Sequence, residues 1–530
     1  MDANARESIQ ERPVAEVRAG IVRFSNLSGD RGALANLVTA AERWLQKHFV
    51  LFGIVCAALY FVASFVIDVE RPLWYDEMIT RIVAGLPLPR IWTALATGSD
   101  GQPFPSYVLN HYSQKLLGDT SFAIRLPETI GFLIFCTSLY FFARRHTGRL
   151  YALGAALLPL ASGALYYATE ARPYAMELGC FGIALLCWQT AADGRRRIVA
   201  LTCLAVSIAG AISSHYLAVL LLIPLGLGEL MRARLRGRLD FPVWIAMVAG
   251  LAPLLSALPM LRALHQFAGG YWARPTLRLF LASYSILSPV IPLVIAILAV
   301  TLWLGRDVMA RPETGRITLP DLTVAAGLLL LPVYQAVLSI YSGAIVPRYV
   351  LGVVAGVALL CAFGFQRLSR DYPAAGVVFA MGAFLLFAGK EGYALVNPAT
   401  RKPIDASATL RATAAEGLPL VITGAHTFLQ SNALEPAERS RAWFIASPGE
   451  SLQATGFDTD DQNLLQLRKW APIQVVTPAD FLPGHRTFLI LKDPQYASWL
   501  LARLRQEGAS IVRDPRDPEH ELFRVVRPQQ

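Results

Sequence analysis

Between residues 49 and 390 the chain runs repeatedly for about twenty residues with few or no charges, and this pattern decides most of what it can fold into. About twenty apolar helical residues cross the roughly 30 Å hydrocarbon core of a bilayer. On that measure, spans lie near 49–67, 123–143, 150–168, 174–192, 198–213, 215–231, 242–261, 279–304, 320–341, 349–366 and 373–390. The weakest division is at Ser213, Ser214 and His215, inside 198–231. The runs are continuous and do not alternate over segments of about ten residues, which argues against a membrane β-barrel. Only 16% of the residues are charged, against about 25% in a soluble domain. Disordered chains, soluble basic nucleic-acid binders and secreted disulfide scaffolds are excluded on the same ground. The fold class expected is an all-α polytopic membrane protein with about eleven transmembrane helices and a C-terminal extracytoplasmic α/β domain.

Charge distribution supports that division. The net charge of +10 falls entirely before residue 395, because residues 395–530 hold equal numbers of basic and acidic side chains. With the N-terminus cytoplasmic, the inner loops carry Arg144, Arg145 and Arg149, then Arg195–Arg197, Arg232–Arg238, Arg306, Arg311, Arg316, Arg367 and Arg370. The intervening loops are nearly bare, as the positive-inside rule requires. The implied partner is a lipid bilayer, with no nucleic acid. All six cysteines lie in apolar runs without metal-ligand spacing and read as small buried hydrophobes.

Three regions fall outside the spans. Residues 1–48 are polar, unlike a cleavable signal peptide, and read as a loosely ordered cytoplasmic tail. The outer loop 68–122 follows the first span, within the transmembrane module 49–391. Within this loop Met78–Leu95 mixes apolar residues with Arg81 and Arg90, as an interface-lying helix does. Residues 392–530 alternate short β-like runs (Leu420–Gly424, Trp443–Ile445, Ile473–Thr477, Thr487–Leu491, Leu522–Val526) with helical ones (Gln462–Trp470, Ala497–Glu507). That order reads as a small α/β domain, and it carries no Gly-rich phosphate fingerprint.

Chemistry-bearing residues collect at the ends of spans. Asp76 and Glu77 follow the first span beside Trp74 and Tyr75, where a carboxylate can take a proton from a hydroxyl nucleophile; the bland reading is an aromatic belt with two solvated acids. Asp100–Tyr107 and His111 come next, then Phe122–Pro127. Glu170 and Arg172 stand in the short boundary Tyr166–Tyr174, where an arginine can grip a phosphate bidentately or merely pair with a loop acid. His215-Tyr216 and Arg348-Tyr349 sit at further span ends, as packing residues or interface anchors in the plainer reading. The topology puts Asp76, Glu77, His111, Glu170, Arg172, His215 and Arg348 on one side of the membrane. That convergence suits chemistry on an amphiphile with a phosphate head group.

In these motifs and their order the chain resembles the integral-membrane glycosyltransferases of the GT-C fold. The group in question includes protein O-mannosyltransferases, lipid A aminoarabinose transferases and galacturonosyltransferase-like proteins. The resemblance rests on Trp74–Glu77, Gln102–Tyr107 (in place of a Pro-Pro-x-Tyr-Tyr pattern), Phe122–Pro127, Tyr166–Tyr174, His215-Tyr216 and Arg348-Tyr349, and covers roughly residues 45–390. It implies an inverting transfer of sugar from a polyprenyl-phosphate-linked donor to a hydroxyl. Asp76 would be the base and Glu77 its orienting partner. Glu170 would contact the sugar or a divalent metal ion shared with Asp76, though the sequence leaves a metal cofactor open. Arg172 and Arg348 would stabilise phosphate charge, with His215, Tyr349 and His111 as further substrate contacts. Acceptors that fit are a cell-envelope glycolipid, a glycan or a protein, at the periplasmic face of a bacterial inner membrane. The rival from another class is a lipid or sugar transporter or flippase, but no half-repeat or midplane charge pattern supports it.

Overall fold

The computed structural model describes residues 36–194, 196–264, 270–304, 317–369, 373–397, 406–431, 436–492, 498–516 and 521–529. Most of the expected tail lies outside the described residues, as do Arg195, Arg306, Arg311, Arg316 and Arg370. Residues 36–47 are helical, which corrects the expectation of loose order there.

Among the described residues, seven helices are long and apolar enough to cross a membrane: Phe49–Glu70, Ser121–Arg144, Tyr174–Ala192, Arg197–Ser214, Tyr216–Arg236, Pro347–Leu368 and Ala375–Val396. Three bent pairs bring the number to as many as ten. They are Arg149–Ala161 with Gly163–Thr169 (70°), Leu277–Leu287 with Ile291–Val300 (53°), and Leu319–Leu329 with Leu331–Ser342 (54°). The expected span 242–261 is represented by a shorter apolar helix, Phe241–Ser256, below the length of the others. Its apolar stretch breaks into Phe241–Ala249, Pro253–Ser256 and Leu258–Leu264, because Pro253 and Pro259 each remove an amide donor and crowd the preceding turn. Hydropathy averages do not register that.

Local chemistry explains the breaks and the close contacts. Pro159 ends the first half of the 70° pair, and Ser162 Oγ caps the second by accepting from Ala164 N at 3.0 Å. The carbonyls of Ala161 and Ser162, freed there, accept from Lys390 Nζ at 3.4 and 2.5 Å, which supplies donors at the break. Ser121–Arg144 and Tyr174–Ala192 approach backbone to backbone: a Cβ on Gly179 would stand 2.5 Å from the Gly131 carbonyl oxygen. Small residues at such crossings let van der Waals packing hold apolar helices together. Cys56 and Cys136 are buried as expected, but Cys203 is exposed on its helix, where apolar surroundings do not require burial within the protein.

Span ends alternate between two faces. At one, Arg145 pairs with Asp193 at 2.8 Å, His146 with Asp321 at 2.8 Å, and Arg232 with Glu229 at 2.8 Å. The other face carries the helices Tyr75–Ala84, Leu88–Ala96 and Phe104–Leu117, covered by the C-terminal domain. Val83, Ile91 and Leu95 are wholly buried in one core with Ile422, Phe428 and Leu491. This corrects the interface-helix reading of Met78–Leu95: its apolar face turns into the protein.

The C-terminal domain holds one six-stranded sheet of β1 (Leu420–Ile422), β2 (Ala442–Ile445), β3 (Val475–Val476), β4 (Thr487–Lys492), β5 (Ser510–Arg513) and β6 (Glu521–Val526). Their order is β3-β2-β1-β4-β6-β5. The first four are parallel, with Leu420 opposite both Ala442 and Leu489. β6 runs antiparallel to β4 (Ile490 opposite Phe523), and β5 antiparallel to β6. Sequence patterning misses β5, an edge strand with three of its four residues exposed and no apolar alternation.

Candidate active site

The site begins with an arginine that no soluble face could carry. Arg125, in the first turns of Ser121–Arg144, is fully buried, and so is Glu77. They meet as a two-pronged pair: Arg125 Nε donates to Glu77 Oε1 at 2.7 Å and Nη2 to Oε2 at 2.6 Å. The remaining Arg125 donors cap the end of the first span, reaching the carbonyls of Asp68 (3.0 Å), Arg71 (2.9 Å) and Pro72 (3.2 Å). Glu77 also accepts from the backbone amides of Ala171 at 2.8 Å and Trp74 at 3.1 Å. Against the upward push of burial, Arg125 holds the Glu77 carboxyl below its ordinary range. One carboxylate thus ties the first span's end, the second span and the Glu170–Arg172 turn together. Glu77 has no oxygen left for a substrate.

Asp76 is next in sequence but turned about 100° around the helix axis, and it lines a cavity of about 950 Å³ between the bundle and the C-terminal domain. Arg348 Nη2 donates to its Oδ2 at 2.9 Å, and Arg172 Nε stands 3.8 Å from the same oxygen. Arg172 also grips Asp100 with both terminal nitrogens, one at 3.2 Å, while Tyr107 OH and Gly101 N donate to that acid. Burial pushes the Asp100 carboxyl up, but Arg172 and Tyr107 hold it below the usual range. Arg348 lies 5.5 Å from the Trp74 ring and 5.8 Å from that of Tyr174. Both Arg172 Nε and Arg348 Nε are buried donors with no hydrogen-bond partner.

Other expected site residues take different places. His215 and Tyr349 line the cavity, ring centroids 4.6 Å apart, with His215 Nδ1 3.4 Å from the Glu177 carboxylate and Tyr349 OH 3.3 Å from Tyr271 OH. Glu170 is buried behind Trp74, accepting its indole N–H at 3.1 Å, and is not among the lining residues. Burial and the nearby Glu77 push its carboxyl up to about 7. His111 is also off the cavity; its Nδ1 meets the Ala84 carbonyl at 2.8 Å, at the end of Tyr75–Ala84. Among the described residues no cluster of three or more His, Cys, Asp or Glu could hold a metal. Asp76 accepts from Arg348, and Glu170 accepts from the Trp74 indole.

Sequence reasoning assigned no role to Asp100, Arg125 or the cavity residues of the C-terminal domain. Arg125 carried a usable signal, a charge inside a predicted span. Asp100 had a weaker one, next to the proline-rich segment.

Comparison with known proteins agrees with this architecture. Residues 100–263 match the family model described as dolichyl-phosphate-mannose-protein mannosyltransferase. That stretch includes Asp100, Arg172 and His215, and leaves out Asp76 and Arg348. No curated protein matches the chain. Among solved structures, ArnT from Cupriavidus metallidurans in the apo state is similar, with a TM-score of 0.55 and 14% identity over 90% of this chain and 98% of that one. The same protein bound to undecaprenyl phosphate gives a TM-score of 0.53 and 14% identity over 89% and 98%. This chain therefore carries the ArnT fold, as the resemblance read from its motifs implied.

Proposed function

We propose that the chain is an inverting glycosyltransferase moving a sugar from a polyprenyl-phosphate donor to a hydroxyl of a cell-envelope glycolipid or glycan. The observation carrying this reading is the pair of arginines, Arg172 and Arg348, that converge on Asp76 in a large cavity. Two guanidinium groups around one pocket fit an anionic head group. In support, a protein of the same fold has been solved bound to undecaprenyl phosphate.

The proposed chemistry follows from the contacts. The donor phosphate sits against Arg348 and Arg172. Asp76 accepts the proton of the acceptor hydroxyl, whose oxygen attacks the anomeric carbon from the face opposite the phosphate. The bond from that carbon to the phosphate oxygen breaks, its electron pair leaves with the phosphate, and the anomeric configuration inverts. The guanidinium groups are already aimed where negative charge accumulates, so little reorganisation is needed as the bond breaks. The arginine-rich opposite face supports a cytoplasmic assignment for that end, leaving the cavity at the periplasmic side of a bacterial inner membrane. A second reading, transfer to protein hydroxyls, is favoured by the family model over residues 100–263.

The test is transfer by the purified protein in lipid, from a panel of labelled polyprenyl-phosphate sugars to membrane extracts. Label moving to a glycolipid or glycan with inverted configuration is the expected result, with a chelator control alongside. Label on protein would select the second reading. Absence of both transfer and donor binding would return the transporter class. Arg348→Ala should weaken polyprenyl-phosphate binding about ten- to hundredfold, the size of a lost charge-assisted hydrogen bond. Arg348→Lys should recover only part of that, lacking the planar fork; unchanged binding in the alanine variant would remove Arg348 from the phosphate site.

A further inference from the structure

The cavity's two walls differ in chemistry, and the difference bears on the acceptor. The bundle wall supplies Arg172 and Arg348. The wall from the C-terminal domain contains no lysine or arginine among its described lining residues. It offers instead Asp460, Asp461 and Asn463 from the first turns of Thr459–Leu467, with the aromatic rings of Phe457 and Trp499. This wall lies at the carboxyl ends of parallel strands. Val421–Ala425 at the end of β1, Phe444 and Ile445 of β2, and Ser498–Leu500 beyond β4 all line it. In the order β3-β2-β1-β4 the chain reverses direction across the sheet at β1, and open α/β sheets bind ligands in the crevice at such a switch point.

Two further polar side chains line the cavity. Gln102 is 3% exposed and Tyr216 8% exposed, and both line the cavity. Gln102 Oε1 and Tyr216 OH have no hydrogen-bond partner. They add an amide and a hydroxyl to the bundle wall, beside its two arginines.

Resting on the glycosyl-transfer reading above, we infer that the sheet-end wall is the acceptor subsite and that it takes a neutral saccharide, with Asp460 and Asn463 binding its hydroxyls. Carboxylates and amides satisfy sugar hydroxyls, and aromatic rings cover the apolar faces of the pyranose. A phosphorylated acceptor would find no lysine or arginine among the described lining residues of this wall to offset its charge. Burial, then Asp461 and Asp76, push the Asp460 carboxyl up to about 7. Gln430 Nε2 of the C-terminal domain donates to the Leu73 carbonyl at 3.0 Å, so the two walls meet next to Trp74–Asp76, and a saccharide held on Asp460 shares one cavity with the proposed base.

The test uses the full-length protein in lipid and measures equilibrium binding of three probes: a neutral oligosaccharide, its phosphorylated counterpart, and a Ser/Thr-rich peptide. Polyprenyl-phosphate binding is measured alongside. The neutral saccharide should bind best. Asp460→Asn, which keeps the shape and removes a buried charge, should weaken it about ten- to hundredfold; Asn463→Ala should weaken it less. Neither should change polyprenyl-phosphate binding. Equal or tighter binding of the phosphorylated saccharide or the peptide, or saccharide binding indifferent to both substitutions, would overturn the subsite. Failure of the parent protein to bind polyprenyl phosphate would instead overturn the donor reading, whatever the saccharide does.

Discussion

Asp76→Asn should cut sugar transfer by about 10²- to 10⁴-fold, the usual contribution of a positioned base, while the protein folds and binds donor as before. Asparagine keeps the size and planarity of the side chain but cannot take the acceptor's proton. Donor affinity should hold or rise. Asp76 now occupies an Arg348 nitrogen at 2.9 Å, and a neutral amide competes less with phosphate for that guanidinium. Loss of turnover with intact or tighter polyprenyl-phosphate binding places Asp76 in the chemical step, whereas weaker binding would show that Arg348 needs the carboxylate to hold its place. Glu170→Gln is the natural control: its carboxyl lies behind Trp74, off the cavity, and should cost far less turnover. If Asp76→Asn retained full transfer, the base would have to be sought on the other wall.

Much of this site was legible in the sequence because membrane topology does part of the folding argument. A span count and a charge pattern place Asp76, Arg172, His215 and Arg348 at one end of the bundle, and four separate segments converge there. What topology cannot give is the direction of a side chain on its helix. Asp76 and Glu77 look equivalent as neighbours, yet successive positions on a helix point about 100° apart, so one faces the cavity and the other the core. His111 fails in the same way. It shares the site end of the bundle, but its ring meets the Ala84 carbonyl. Asp460 was illegible for a different reason. Nothing local marks it, and it reaches the cavity only because the C-terminal domain shares a core with helices 75–96.

Glu77→Ala should destabilise the fold by about 3–5 kcal/mol, the usual cost of stranding one member of a buried ion pair. The loss is compound. Arg125 would keep its three carbonyl acceptors but lose its counter-charge at full burial. The amides of Ala171 and Trp74 would lose their shared acceptor. A small drop in melting temperature, or none, would mean that water reaches Arg125 and that the clamp is weaker than its geometry suggests. Glu77→Ala with Arg125→Met separates the charge from the connections. Removing both charges relieves the stranded guanidinium, so the double variant should be more stable than Glu77→Ala alone. Its activity should stay low, because the carboxylate also ties the Glu170–Arg172 turn to the helix bearing Asp76. A double variant recovering stability without turnover would assign Glu77 to positioning. Recovery of both would mean that Asp76 and Arg172 hold their 3.8 Å approach without it.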